Sequence, residues 1–148
     1  MADQFTTRTN RDSWPRTDDH AAYAAHMNGQ LGIELNSVQL SCGLPWVRCQ
    51  HADLPGEGLH LSSTAMNQAD FSEFLIPVGF TGLTFCYSGH GLFQNGRRVA
   101  STSLAMMPGG RRYYSCYPAG WKSLDLLLSD AFVSRVPALE KLVVCRTC

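Results

Sequence analysis

The sequence has no apolar run near the ~18–20 residues of a membrane-spanning helix. Its opening stretch, MADQFTTRTNRDSW, lacks the apolar core of a secretory signal. Charge of one sign is also missing. Twelve Lys and Arg balance twelve Asp and Glu, which excludes the basic footprint of a nucleic-acid binder or a membrane-surface patch. There is no G-x-S-x-G elbow, no phosphate loop and no dinucleotide fingerprint. No cysteine sits in a positively charged loop. Internal repeats and low-complexity tracts are absent as well. A protein of the cytosol is expected, with no membrane partner.

What is present is a rhythm of strands. Residues 1–16 are polar and aperiodic and are read as a disordered arm. TDDHAAYAAHM follows, capped by Thr17 or Asp18, and predicts a short helix ending near Asn28-Gly29. Then come GIELNSVQLSC, PWVRCQHADL, GLHLSSTAM, FSEFLIP, FTGLTFCYSG, GLFQN, RRVAS, SLAMMP, RRYYSCY and WKSLDLLLS, separated by Gly, Pro and Asn-Gly turns. Asn95-Gly96 between two short runs predicts a type I′ hairpin, because both residues accept a positive φ. Many short strands with regular turns predict an all-β sandwich or barrel. SDAFVSRVPALEKLVV, capped by Ser129 or Asp130, carries Phe132, Val133, Val136, Leu139 and Leu142 at helical spacing, with a break at Pro137. Residues 17–148 are therefore expected to form one barrel domain with short helices at both ends.

Metal chemistry finds little support in the residues. A cupin-type barrel holds its metal by H-x-H, a later carboxylate and a third histidine after P-x-G-x-x. Here Pro108-Gly109-Gly110-Arg111-Arg112-Tyr113 keeps the turn and puts a tyrosine in the ligand position. Upstream, CYSGHGLF offers His90 without a partner two residues away, whereas a catalytic site needs three protein ligands on one concave face. Cys42, Cys49 and His51 match no finger spacing. His51 and His60 read as strand residues, and His20 and His26 as residues of the first helix. No metal and no cofactor is expected. The six cysteines should stay reduced, those in QLSCG, LTFCYS and YYSCY as small buried hydrophobes, and CRTC reads as an inert tail. Arg97, Arg98, Arg111 and Arg112 read as a solvated strand edge.

Aromatic and methionine positions are richer. Leu83, Phe85 and Tyr87 share one strand face by period two, and Phe93, Met106, Tyr113, Tyr117 and Trp121 lie on neighbouring strands or turns. They suit either a filled core or the wall of a cavity for one small ligand. In WKSLDLLL, the even positions Lys122, Leu124, Leu126 and Leu128 suit packing under the last helix. Trp121, Ser123, Asp125 and Leu127 face the other way, a mixture that suits a pocket wall; the alternative for Asp125 is solvent or a pair with Arg111 or Arg112. The candidate ligand-binding set is Trp46, Phe85, Tyr87, Phe93, Met106, Tyr113 and Trp121, with Asp125 as polar anchor. Ring faces and a carboxylate together suit a cationic or amphipathic small molecule.

FCYSGHGLFQNGRRVASTSLAMMPGGRRYYSCYPAGW followed by WKSLDLLLSDAFVSRV resembles the N-terminal sensing half of AraC-type transcription regulators, over about residues 18 to 144. The match is a run of strand, G-x-G, strand, Asn-Gly turn, strand, P-x-G turn, apolar strand and helix. DHAAYAAHM and IELNSVQLSCGLPWVRCQ are similar to a subgroup that includes ethanolamine-operon regulators. Thr102 departs from the pattern, where cupin-like barrels often turn on a glycine. The resemblance implies a cupin-like (double-stranded β-helix or jelly-roll) barrel that binds a small effector and dimerises without metal. No pair of helices with a basic recognition helix is present. The expectation is a non-catalytic effector-binding and dimerisation domain, free-standing or cut from its helix-turn-helix half, that does not itself bind nucleic acid. It should form a homodimer through the helical region bearing Phe132, Val136, Leu139 and Leu142. The alternatives are a cupin enzyme such as an isomerase or dioxygenase, and a dimerisation module with a filled barrel.

Overall fold

Asn95 and Gly96 adopt φ of 49° and 76°, the pair of positive values that a type I′ turn requires. That turn joins β6 (Leu92–Gln94) to β7 (Arg97–Val99), one of the hairpins from which the barrel is built. The computed structural model describes residues 20–54, 58–88, 91–101 and 103–139. The N-terminal arm, Leu142 and the C-x-x-C tail lie outside the described residues.

Ten strands lie among the described residues, at the ten places where turn residues bracket apolar runs. β1 (Glu34–Gln39), β4 (Asp70–Leu75), β9 (Arg112–Tyr117), β6 and β7 form one antiparallel sheet in the order β1-β4-β9-β6-β7. β2 (Val47–Leu54), β3 (Leu59–Met66), β10 (Lys122–Ser129), β5 (Phe80–Cys86) and β8 (Leu104–Pro108) form the other, in the order β2-β3-β10-β5-β8. The chain crosses repeatedly between the two, so they face each other as a jelly roll with side chains alternating in and out. Strand β4 shows this directly: Asp70, Ser72 and Phe74 are buried and Phe71, Glu73 and Leu75 less so.

Helix α1 (His20–Leu31) extends slightly past Asn28-Gly29 and turns into β1 at Gly32, whose φ is 63°. It sends Tyr23 and Met27 into the core. Helix α2 (Asp130–Arg135) starts at Ser129, whose hydroxyl accepts from the Phe132 amide at 3.1 Å and satisfies one of the free helix-end donors. It ends at Val136, before Pro137. Val133 packs with Leu83 and Leu128 on the outside of the β2-β3-β10-β5-β8 sheet, joined by Phe132 and Leu139. This face of the helical region therefore covers its own barrel, and the free apolar helix surface expected for a dimer contact is not presented by Phe132 or Leu139.

The P-G-G turn has a steric reason. A Cβ at Gly109 would sit inside the van der Waals shells of the Pro77 and Phe80 carbonyl oxygens, and Gly110 has φ of 70°. Gly109→Ala is expected to lower the unfolding free energy by about 1–3 kcal/mol, since neither carbonyl can move without breaking the neighbouring turn. A denaturant midpoint unchanged from wild type would show that the two turns do not pack this way.

Candidate functional site

Register decides what faces the interior. In β10, Asp125 lies opposite Thr84 of β5 on one side and Ser62 of β3 on the other; Ser123 lies opposite Cys86 and Thr64. Directly opposed residues of paired strands share a face, so Thr84 and Thr64 point inward with Asp125 and Ser123. The same rule turns Phe85 outward with Leu124, and Leu83 outward with Leu126.

Between the sheets is a cavity of about 90 Å³. Its apolar wall comes from Tyr23 and Met27 of α1, Ile33 and Leu35, Met66, Phe74 and Ile76, Met107, Tyr117 and Trp121. Gly82 helps to shape it, because a Cβ there would crowd Met107 Cε and Ile76 Cδ1 at 3.2 and 3.3 Å. Its polar wall is Thr64, Ser72, Thr84, Ser123 and Asp125.

Asp125 is the chemical centre of that wall. Thr84 Oγ1 donates to its Oδ1 at 2.7 Å and Ser123 Oγ to its Oδ2 at 2.8 Å. Burial pushes the carboxyl above its usual range, and the hydroxyls of Thr84, Ser123 and Thr64 partly offset this by favouring the ionised form. Around it, burial raises the hydroxyls of Tyr23 and Tyr117 and pushes the Cys49 thiol up to about 11. These three groups are neutral at pH 7. The facing sheet buries a second carboxylate, Asp70, which accepts from Ser37 Oγ at 2.7 Å and from Ser72 Oγ at 2.5 Å.

Of the eight residues proposed from the sequence, Trp121 and Asp125 line this cavity. The other six do not. Tyr113 is buried inside the barrel, stacked on Phe74 at 5.6 Å, with its hydroxyl donating to the Pro108 carbonyl at 2.9 Å. The tyrosine in the histidine position thus ties down the P-G-G turn. Trp46 is half-buried just before β2, its amide donating to Asn67 Oδ1 at 2.7 Å. Met106 faces outward opposite Leu83, and its neighbour Met107 takes the interior place. Phe85, Tyr87 and Phe93 are exposed on outer faces, at 40%, 49% and 52%. The apolar parity of β5 is the one that α2 packs on, and Phe85 and Tyr87 at its far end are exposed.

Other expectations divide similarly. Cys49 and Cys86 are buried, whereas Cys42 and Cys116 are exposed. Arg112 bonds Glu73 at 2.7 Å and lies 3.5 Å from Glu34, on the outside and away from Asp125. Arg97 and Arg98 are exposed on the edge strand β7. Among the described residues no three His, Cys, Asp or Glu side chains are grouped to hold a metal ion, and no helix is long and apolar enough to cross a membrane.

No protein-family model matches the sequence, and no curated protein matches it. Solved structures do. The AraC-like transcriptional activator CuxR is similar over 83% of this chain at 12% identity and a TM-score of 0.52, and the chain spans 48% of that protein. An RmlC-like cupin from Shewanella frigidimarina is similar at 10% identity, covering 65% of this chain and 85% of its own, with a TM-score of 0.46. A predicted oxalate decarboxylase from Thermotoga maritima matches at 13% identity over 65% of this chain and 94% of its own, with a TM-score of 0.45. The fold is a cupin-like jelly roll, two five-stranded antiparallel sheets in an arrangement similar to that of an AraC-like activator. The expectation of a non-catalytic protein is corrected by the same comparison. A predicted oxalate decarboxylase is among the similar structures, and one fold hosts catalysts and binding proteins alike, so the fold gives no ground for setting catalysis aside.

Proposed function

We propose that this chain is a small-molecule-binding domain of the effector-sensing kind, holding its ligand between the two sheets. The observation that carries this reading is the cavity of about 90 Å³ with Asp125, Thr84 and Ser123 grouped on one wall and apolar side chains on the rest. Pockets of this composition orient a ligand by a few polar groups and hold it by apolar contact. The likeness to CuxR, which is described as a transcriptional activator, supports a sensing role for such a pocket. Homodimerisation belongs to the same reading, and a single-chain mass by light scattering would remove that part.

A thermal-shift screen of small molecules tests the pocket. A true ligand at 100 times its Kd should add about 2.7 kcal/mol, or about 5–10 °C in Tm for a chain of this size. A screen without a hit, together with a crystal structure showing the interior filled by protein side chains, would contradict it.

A further inference from the structure

We propose that the cavity takes a small primary ammonium ion with a short apolar tail, with its nitrogen held at the Asp125 carboxylate. This rests on the reading of the cavity as a ligand site and names the ligand's class.

The argument is one of charge and donor balance. Asp125 accepts hydrogen bonds from hydroxyls, at 2.7 Å from Thr84 and 2.8 Å from Ser123. Hydroxyl donors satisfy lone pairs but supply no positive charge. Every Lys and Arg among the described residues is exposed. Of the titratable groups that face it from other elements, Tyr23 of α1, Cys49 of β2 and Tyr117 of β9 are neutral; His60 of β3, buried on the same inward parity, lies opposite Leu127 and not Asp125. A buried carboxylate that ionises without a cation is expensive. A ligand that brings the cation removes that cost.

Geometry narrows the cation. An ammonium has three donors on one atom. One can meet Asp125, and the lone pairs left on Thr84 and Ser123 can accept the others. The rings of Trp121 and Tyr117, with centroids 5.1 Å apart, add faces that attract positive charge. A guanidinium spreads five donors over a plane and needs more room. The cavity of about 90 Å³ is smaller than the roughly 150 Å³ space that accommodates benzene, which limits the ligand to about four to six non-hydrogen atoms. Phe74, Ile76 and Met107 provide the contact for a short alkyl tail.

The test uses three probes of one shape at pH 7 and equal ionic strength: n-propylammonium, 1-propanol and propanoate, titrated into wild type and Asp125→Asn by NMR. Propylammonium should bind wild type at least about tenfold more tightly than propanol, the margin of a charge-assisted hydrogen bond, and propanoate should not bind. Asp125→Asn should bring ammonium and alcohol to equal affinity. If propanol or propanoate binds wild type as tightly as the ammonium, the cation assignment is overturned while the pocket survives. If none of the three perturbs a cavity residue, both readings fall. The wild-type comparison decides the matter even if the variant does not fold.

Discussion

Trp121→Ala is expected to lower the unfolding free energy by ~3–5 kcal/mol, because the lost ring leaves a void that its neighbours cannot close. Trp121 is 1% exposed and packs with Val47, Met66 and Leu92, with Tyr117 tilted against it. It also lines the cavity, so the new void is continuous with space that already exists. That continuity separates a pocket wall from plain core. A flat apolar molecule such as indole should enter the enlarged cavity of the variant and restore part of the lost Tm, by about 2.7 kcal/mol at 100 times its Kd. Wild type should show no such rise. A variant equally destabilised but indifferent to indole would mean that the void collapses and that Trp121 serves only as packing.

Asp125→Asn should act in opposite directions on folding and on binding. The side chain keeps its shape and loses its charge. Burial raises the folded carboxyl above its unfolded range, so over the interval between the two values the folded state binds the proton more tightly. Stability from this group is therefore present at low pH and is lost as pH rises through that interval. Once the carboxyl ionises, the ligand-free wild type carries the penalty of burial and the variant does not. The variant should melt higher than wild type at pH 7, and the gap should close on acidification below the usual carboxylate range. Binding should go the other way: losing a charge-assisted hydrogen bond removes about 1.5–3 kcal/mol, or roughly 10- to 150-fold in affinity for an ammonium ligand. A variant less stable than wild type at pH 7 would show that the hydroxyls of Thr84 and Ser123 more than offset the burial.

The strands were legible because turn chemistry and alternation are local. Asn95-Gly96, Pro108-Gly109-Gly110 and the Ser129 cap each act within a few residues, and each stands where the sequence puts it. The two faces of β10 were legible too, since Lys122, Leu124, Leu126 and Leu128 contrast with Trp121, Ser123 and Asp125. The candidate site was less so. Which parity of β5 and β8 faces inward depends on partner register, and both faces of this sheet bury apolar side chains. Hydrophobic periodicity marks Leu83, Phe85 and Met106 as well as any interior row, yet they face α2 or solvent. The inner places belong to Thr84 and Met107, and Gly82 clears space beside them. A signal existed in Asp125 itself: a carboxylate on an inward parity requires hydroxyls opposite it, and Thr84 was the available partner on the neighbouring strand. Tyr23 and Met27 could not be found this way, because a helix laid across a barrel depends on tertiary packing.

Methionine methyl groups give the most direct test of a ligand inside the barrel. Met27, Met66 and Met107 line the cavity, and Met106, adjacent in sequence to Met107, points to the opposite face. In a protein carrying carbon-13 methionine methyls, saturation with n-propylammonium should shift the Met27, Met66 and Met107 signals and leave Met106 unmoved. Shifts confined to Met106, or equal shifts at Met106 and Met107, would place the ligand outside the barrel and contradict the account.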